Sequence, residues 1–173
     1  MINLKADIHD LLSALAPGTP LIFSDQNAPR PALPYWTIKI TVQRDLGTDY
    51  YSDGVDALGD QEIHGVREAT IQIQRIGTDS DFRMCELRDN LSKTTVLDKF
   101  RLKDISLYDK TEVLNIPFPL DGAQMEPRAA MDLFIRFGSK IIDRVGVIEV
   151  INVISTYQRP TNIDLSKNIN IVL

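Results

Sequence analysis

Few residues of this chain carry side chains able to do covalent or proton chemistry, and those few stand apart. His9 lies beside Asp10 on the polar side of an N-terminal amphipathic stretch, and His64 opens a run of alternating residues. A catalytic histidine needs a nucleophile or a carboxylate held close by. Nothing near His9-Asp10 or His64 in sequence suggests such a partner held in place, so both histidines are expected to be solvated or structural. Cys85 stands among Met84, Leu87 and Leu91. A reactive thiol needs a cationic, accessible setting, so Cys85 is expected to be a buried small hydrophobe. One cysteine and no paired histidines leave a zinc site nothing to be made from.

The densest group of ionisable residues is the stretch 45–62, which holds Asp45, Asp49, Asp53, Asp56, Asp60 and Glu62 with Gly47, Gly54 and Gly59. A calcium loop requires D-x-[DN]-x-[DN]-G with a glutamate six residues on. Asp49, Asp53-Gly54 and Asp56 are spaced wrongly for it, so no metal is expected. There is no GxxxxGK[ST], GxGxxG or GxSxG, which removes the warrant for nucleotide binding and hydrolase chemistry. No cofactor is expected. Arg128 and Arg136 share one strand face, and Arg67 and Arg75 flank another strand. Pairing with Glu68, Asp132 or Glu149 across strands is the expected use of these arginines, ahead of a ligand-binding cluster.

The elements that would position these residues are legible from period and punctuation. Trp36, Ile38, Ile40 and Val42 alternate with Thr37, Lys39, Thr41 and Gln43, the period of a strand with one buried face. Pro29, Pro31 and Pro34 make the approach to this strand stiff and non-helical. Residues 2–16 read as an amphipathic helix with Leu4, Ile8, Leu11, Leu12 and Leu15 on one face. The acid-rich stretch has no clear period and reads as a long exposed loop, with ragged hairpin extensions, between two strands. The second strand, 63–76, sets Ala69, Ile71 and Ile73 against Thr70, Gln72 and Gln74. A helix capped within Thr78–Asp81 follows to about Lys93. A further strand is expected at 105–109. A third long strand, 128–137, has Ala129, Met131, Leu133, Ile135 and Phe137 on its inner face. Residues 147–156 are β-branched on both faces, which predicts a central or interfacial strand. The order of helix, strands, helix, strands predicts an α+β fold, a mainly antiparallel sheet with helices on one face.

A chain of 173 residues suffices for one domain with its own core. Its formal net charge of -5 opposes binding to nucleic acid through a basic surface. No run is long and apolar enough for a membrane span. The first fifteen residues lack the charged start and apolar core of a signal peptide, so a soluble product made in a cytosol is expected. The domain is expected to span 1–158, with 159–173 as an extended C-terminal arm. In that arm Ile163, Leu165, Ile169, Ile171 and Leu173 share one parity. Arg159-Pro160 disfavours a local hairpin return, so the arm is expected to add to a sheet edge of another chain, the alternative being an edge strand added to its own sheet.

Several segments, in order, resemble the phage neck terminator family. They are the Gln26-Asn27-Ala28-Pro29-Arg30-Pro31 lead-in, Gly65–Glu68 at the start of the second long strand, Glu126-Pro127-Arg128-Ala129, and Val145-Gly146-Val147-Ile148-Glu149. The resemblance covers residues 1–156. It implies a structural virion protein without catalytic residues, at the neck on top of the tail. The family's subunits form a ring, of six copies, on the last ring of the tail tube, where they stop tube growth and meet the head-completion proteins. Double-stranded DNA would pass through such a ring without specific binding, and the acidic stretch would face the channel. In a ring the arm would reach a neighbouring subunit; in a contractile tail it would reach the sheath. The alternatives are a head-completion, connector or minor tail protein on the portal side of the neck, and, from another class, a tail-associated hydrolase.

Overall fold

The computed structural model describes residues 3–120, 124–146, 150–158 and 164–172; for the last two segments it gives the backbone. Helix α1 (Leu4–Ser13) starts at Asn3, whose side-chain oxygen accepts from the Ala6 N–H at 3.3 Å and so satisfies one of the free N–H groups of the first turn. Leu4, Ile8, Leu11 and Leu12 are buried, as their spacing predicts. Strand β1 (Leu21–Phe23) runs parallel to β2 (Tyr35–Tyr51), with Leu21 opposite Trp36. β3 (Asp60–Ile76) follows, then α2 (Ser80–Asn90), α3 (Thr94–Arg101) and β4 (Ile105–Lys110). Short strands β5 (Leu114–Asn115), β6 (Phe118–Pro119) and β7 (Met125–Glu126) precede β8 (Arg128–Arg144), β9 (Val150–Gln158) and β10 (Asp164–Val172).

The main sheet is ordered β1-β2-β3-β8-β4, with β5 also on β8. β4 and β5 pair with β8 antiparallel, and the parallel β1 makes the sheet mixed. Contacts between β2 and β3 pass from Thr41 and Thr70, through Arg44 and Glu68, to Ser52 and Glu62, rising along one strand and falling along the other as an antiparallel pair must. Ala69, Ile71 and Ile73 of β3, and Ala129, Met131, Leu133 and Ile135 of β8, join Trp36 and Ile38 and the apolar stripes of all three helices in one core. The helices therefore share a face of the sheet, and the α+β class holds.

Four expectations change. The stretch 45–62 is mostly ladder: β2 runs to Tyr51 and β3 begins at Asp60, leaving 52–59 as the connection. The charge that argued against pairing is neutralised across the strands by Arg67. Cys85 is exposed. Met84, Leu87 and Leu91 already fill the inward stripe of α2, and the next residue round from Met84 turns to solvent. The strand expected at 147–156 is not central: β9 pairs with β10 alone among the described residues. Finally, the backbone of 164–172 returns antiparallel on β9 within the same chain, from Asp164 opposite Gln158 to Val172 opposite Val150. Arg159-Pro160, the reason for expecting no local return, lies outside the described residues.

The chain divides into two compact units. One comprises Met1–Tyr50 and His64–Ile141 and holds the core; the other comprises Tyr51–Ile63 and Ile142–Leu173. The expected boundary at 158 falls at the end of β9, beside residues 159–163, which lie outside the described residues. No helix among the described residues is long and apolar enough to cross a membrane.

Candidate functional site

The first unit contains two carboxylates that are buried and held between arginines. Glu126, 2% exposed, takes Arg30 on one oxygen and Arg128 on the other, the latter at 2.6 Å. Arg30 also donates from Nε to the Tyr35 hydroxyl at 2.5 Å, and Arg128 lies 4.5 Å over the Phe118 ring. Burial pushes the Glu126 carboxyl up, but the hydrogen bonds from Arg128 and Arg30 outweigh it and hold the group below the usual glutamate range. The proline-rich lead-in is thus tied to β7 and β8 by charge. At the same junction the Gly77 N–H donates to the Pro127 carbonyl at 2.9 Å. Gly77 has φ +112, and a Cβ there would stand 2.9 Å from Pro34 Cβ, so no other residue fits without displacing the lead-in.

Glu68 is the second such carboxylate. Arg44 of β2 donates to one oxygen from Nε at 2.9 Å, and Arg136 of β8 reaches the other at 3.2 Å. The ring of Tyr108 on β4 lies 4.3 Å from the Arg136 guanidinium. Arg44, then Tyr108 and Arg136, hold the Glu68 pKa below the usual glutamate range. One side chain on a central strand is thereby bonded from both neighbouring strands. Pairing of Arg136 with Glu68 is the cross-strand use expected for it.

Of the six acids in 45–62, Asp45 and Asp49 belong to the first unit and the other four to the second. Arg67 forks onto both oxygens of Asp49, at 2.6 and 2.8 Å, and its Nε lies 3.0 Å from Asp45. The hydrogen bond from Arg67 lowers the Asp49 pKa. Gly65 makes room for this pair, since a Cβ there would collide with the Arg67 guanidinium and the Asp49 carboxylate. In the second unit Asp56 accepts the N–H groups of Leu58 and Asp60, at 2.8 and 2.9 Å, and builds the turn; those backbone donors, Asp60 first, hold its pKa down. Asp60 pairs with Arg144 at 2.9 Å. The Glu62 N–H donates to the Ser52 hydroxyl at 3.0 Å, and its carbonyl accepts from the Ser52 N–H at 2.8 Å. Asp53 is exposed and makes no side-chain pair among the described residues. Among the described residues no three His, Cys, Asp or Glu side chains gather as metal ligands.

The remaining candidates are placed as follows. His9 is half-buried, with Nε2 3.1 Å from the Leu21 carbonyl and its ring stacked on Phe23, a structural role. His64 packs against Tyr50. Leu165, Ile169 and Ile171 lie on β10, while Ile163 and Leu173 lie outside the described residues. Glu126, Gly65 and Gly77 are the residues that sequence reasoning did not single out for roles. The signal available was a Glu-Pro-Arg triplet at the mouth of an apolar strand, and a glycine inside a strand, which marks close approach of a neighbour.

Among the described residues there are buried ion pairs and no convergent set of acid, base and nucleophile. Comparison with curated proteins returns no match. The phage neck terminator family, a structural family, matches residues 4–161, nearly the whole chain, and includes the Arg30, Gly65, Glu68 and Glu126 segments just described. The chain belongs to the phage neck terminator protein family and is a structural component of the phage neck.

Proposed function

We propose that this chain is the tail terminator itself: a ring of six copies that caps the tail tube, ends its growth and receives the head-completion proteins. One observation carries the reading beyond family membership. In the first unit, Val42, Tyr50, Val66 and Ile141 on three neighbouring strands are each at least 45% exposed. Large apolar side chains repeated along paired strands are the composition of a surface that another subunit covers. The second unit supports the same reading. Its β9–β10 pair has a free edge on each side among the described residues, and free edges accept strands from another chain. The sequence alternation of Leu165, Ile169 and Ile171 supplies the register for such an addition. The arm thus joins a neighbouring subunit of the ring, or the sheath in a contractile tail, through its outer edge.

The hairpin connection faces the channel in this reading. Asp53 carries that role, because Asp45, Asp49, Asp56 and Asp60 are engaged by Arg67, Arg144 or backbone N–H groups. A carboxylate there repels phosphate, so DNA slides past without binding. The subunit is made in the host cytoplasm and resides in the virion neck.

A phage lacking this gene tests the assignment. Tubes of abnormal length, or tails that do not join filled heads, are the expected particles by electron microscopy. Normal-length tails firmly joined to filled heads overturn the reading. Location of the chain on the portal side, away from the tube, in a virion map assigns it instead to head completion.

A further inference from the structure

A cleft of about 280 Å³ in the first unit is lined by two side chains that each keep a buried donor with nothing to donate to. It is enclosed by the residues after α1, the start of β2, the end of β3 and the outer turns of α2. Trp36 and Arg75 form one wall, with the guanidinium 4.9 Å over the indole ring. Trp36 is 4% and Arg75 6% exposed, yet Trp36 Nε1 and Arg75 Nε are both buried without a hydrogen-bond partner among the described residues. Buried N–H donors are satisfied in the great majority of cases, so two orphans in one cleft ask for an acceptor.

The charge in the cleft selects which acceptor. Arg83 is paired with Glu86 at 2.8 Å, whereas Arg75 makes no ion pair among the described residues. One guanidinium is therefore left uncompensated. Water could bond both N–H groups but would leave the buried charge unmatched, which is the costlier deficit. Asp79 and Glu86 favour the charged Arg75 from a distance, while burial and the nearby Arg83 oppose it. A single negative charge balances the cleft; a doubly charged phosphate would overshoot. At roughly 30 Å³ per water, the volume admits several waters or one acid-bearing side chain.

We infer that this cleft is a carboxylate-binding site, in which the acid accepts from Trp36 Nε1 and Arg75 Nε and lies against the Arg75 charge. The acid comes from a peptide, as a side chain or chain terminus, or from a small free carboxylate. The inference does not depend on ring formation or on tube capping.

Trp36 is the sole tryptophan, so its indole reports on the cleft directly. Full-length protein labelled with ¹⁵N is titrated with sodium acetate, with chloride at matched ionic strength, and with a short peptide whose one carboxylate is its C-terminus. The amidated peptide is the control. Acetate is expected to shift the Trp36 indole N–H cross-peak saturably and chloride is not. The free-acid peptide is expected to bind at least tenfold tighter than acetate and the amidated form not at all. Free-acid peptide no tighter than acetate assigns the site to a small carboxylate. Arg75→Gln, checked for native circular dichroism, is expected to weaken binding tenfold or more; Arg83→Gln, on the rim, serves if that variant does not fold. No saturable shift with either acid, a shift by chloride equal to that by acetate, or an unchanged affinity in the folded Arg75 variant overturns the inference.

Discussion

The two ends of the long strands behave as different materials. Near one end Ile38, Ile71, Ile73, Leu133 and Ile135 are at most 1% exposed; further along the same strands Val42, Tyr50, Val66 and Ile141 stand at 45% or more. Residue type does not separate the two regions, since β-branched and aromatic side chains occur in both. What separates them is cover: three helices close over one end, and ion pairs replace hydrophobic cover at the other, with Arg67 on Asp45 and Asp49 and Glu68 between Arg44 and Arg136. The lesson is that subunit stability resides in the first region and that the second is free to serve contacts with other chains.

The largest effect that tests this division is a cavity. Ile71→Ala is expected to lower the unfolding free energy by about 3 kcal/mol, whereas Val42→Ala on the neighbouring strand changes it by less than about 0.5 kcal/mol. Urea unfolding measures both. Comparable losses at the two sites would erase the distinction.

An intermediate effect comes from charge at the covered end. Glu126→Gln leaves Arg30 and Arg128 without their counter-ion and is expected to destabilise the subunit by about 1–3 kcal/mol at neutral pH. The sign with pH follows from the direction of the shift. The folded pKa lies below the ordinary 4.5, so the contribution of Glu126 is complete above that value and fades as pH falls through the lower folded pKa. The gap between wild type and variant should close in acid. A gap that stays constant with pH would mean that packing, not charge, is lost.

The smallest effect is local to the hairpin connection. Asp56→Ala removes the acceptor of the Leu58 and Asp60 N–H groups, so those two amides should exchange faster with solvent, while Asp53→Ala leaves them unchanged. If the connection faces the channel as proposed, Asp53→Lys is expected to slow genome ejection from assembled particles, and unchanged ejection would count against that placement. Equal exchange in both alanine variants would contradict the turn role of Asp56.

Much of the covered end was legible before the structure. Period two in Ala69–Ile73 and Ala129–Ile135 names the inner faces, and period 3.6 in Leu4–Leu12 names the stripe of α1, because burial on one side imposes those periods. The acidic stretch misled for a physical reason: Asp45, Asp49 and Asp60 are paired with Arg67 and Arg144, which are distant in sequence, so local charge looked unpaired. Cys85 misled because one position of helical rotation separates a buried residue from an exposed one. The carboxylate junctions at Glu68 and Glu126 were half legible. Their arginines were visible, but which acid each would meet depends on strand order, which no local pattern encodes. The return of β10 on β9 was hidden because Arg159-Pro160 was read as a barrier to a hairpin, whereas the paired strands lie on either side of it in sequence.

The Glu68 carboxylate, gripped from both neighbouring strands, also has a mechanical meaning. A force that peels the exposed ends apart opens the ladder one bond at a time, each opening easing the next, as a tear runs along a seam. Glu68 sits where cover begins, tied laterally to β2 and β8 at once. To pass it the tear must break both ties together and then enter the core, so it stops there. The sheet can be wrenched at its bare ends while the subunit behind Glu68 keeps its shape.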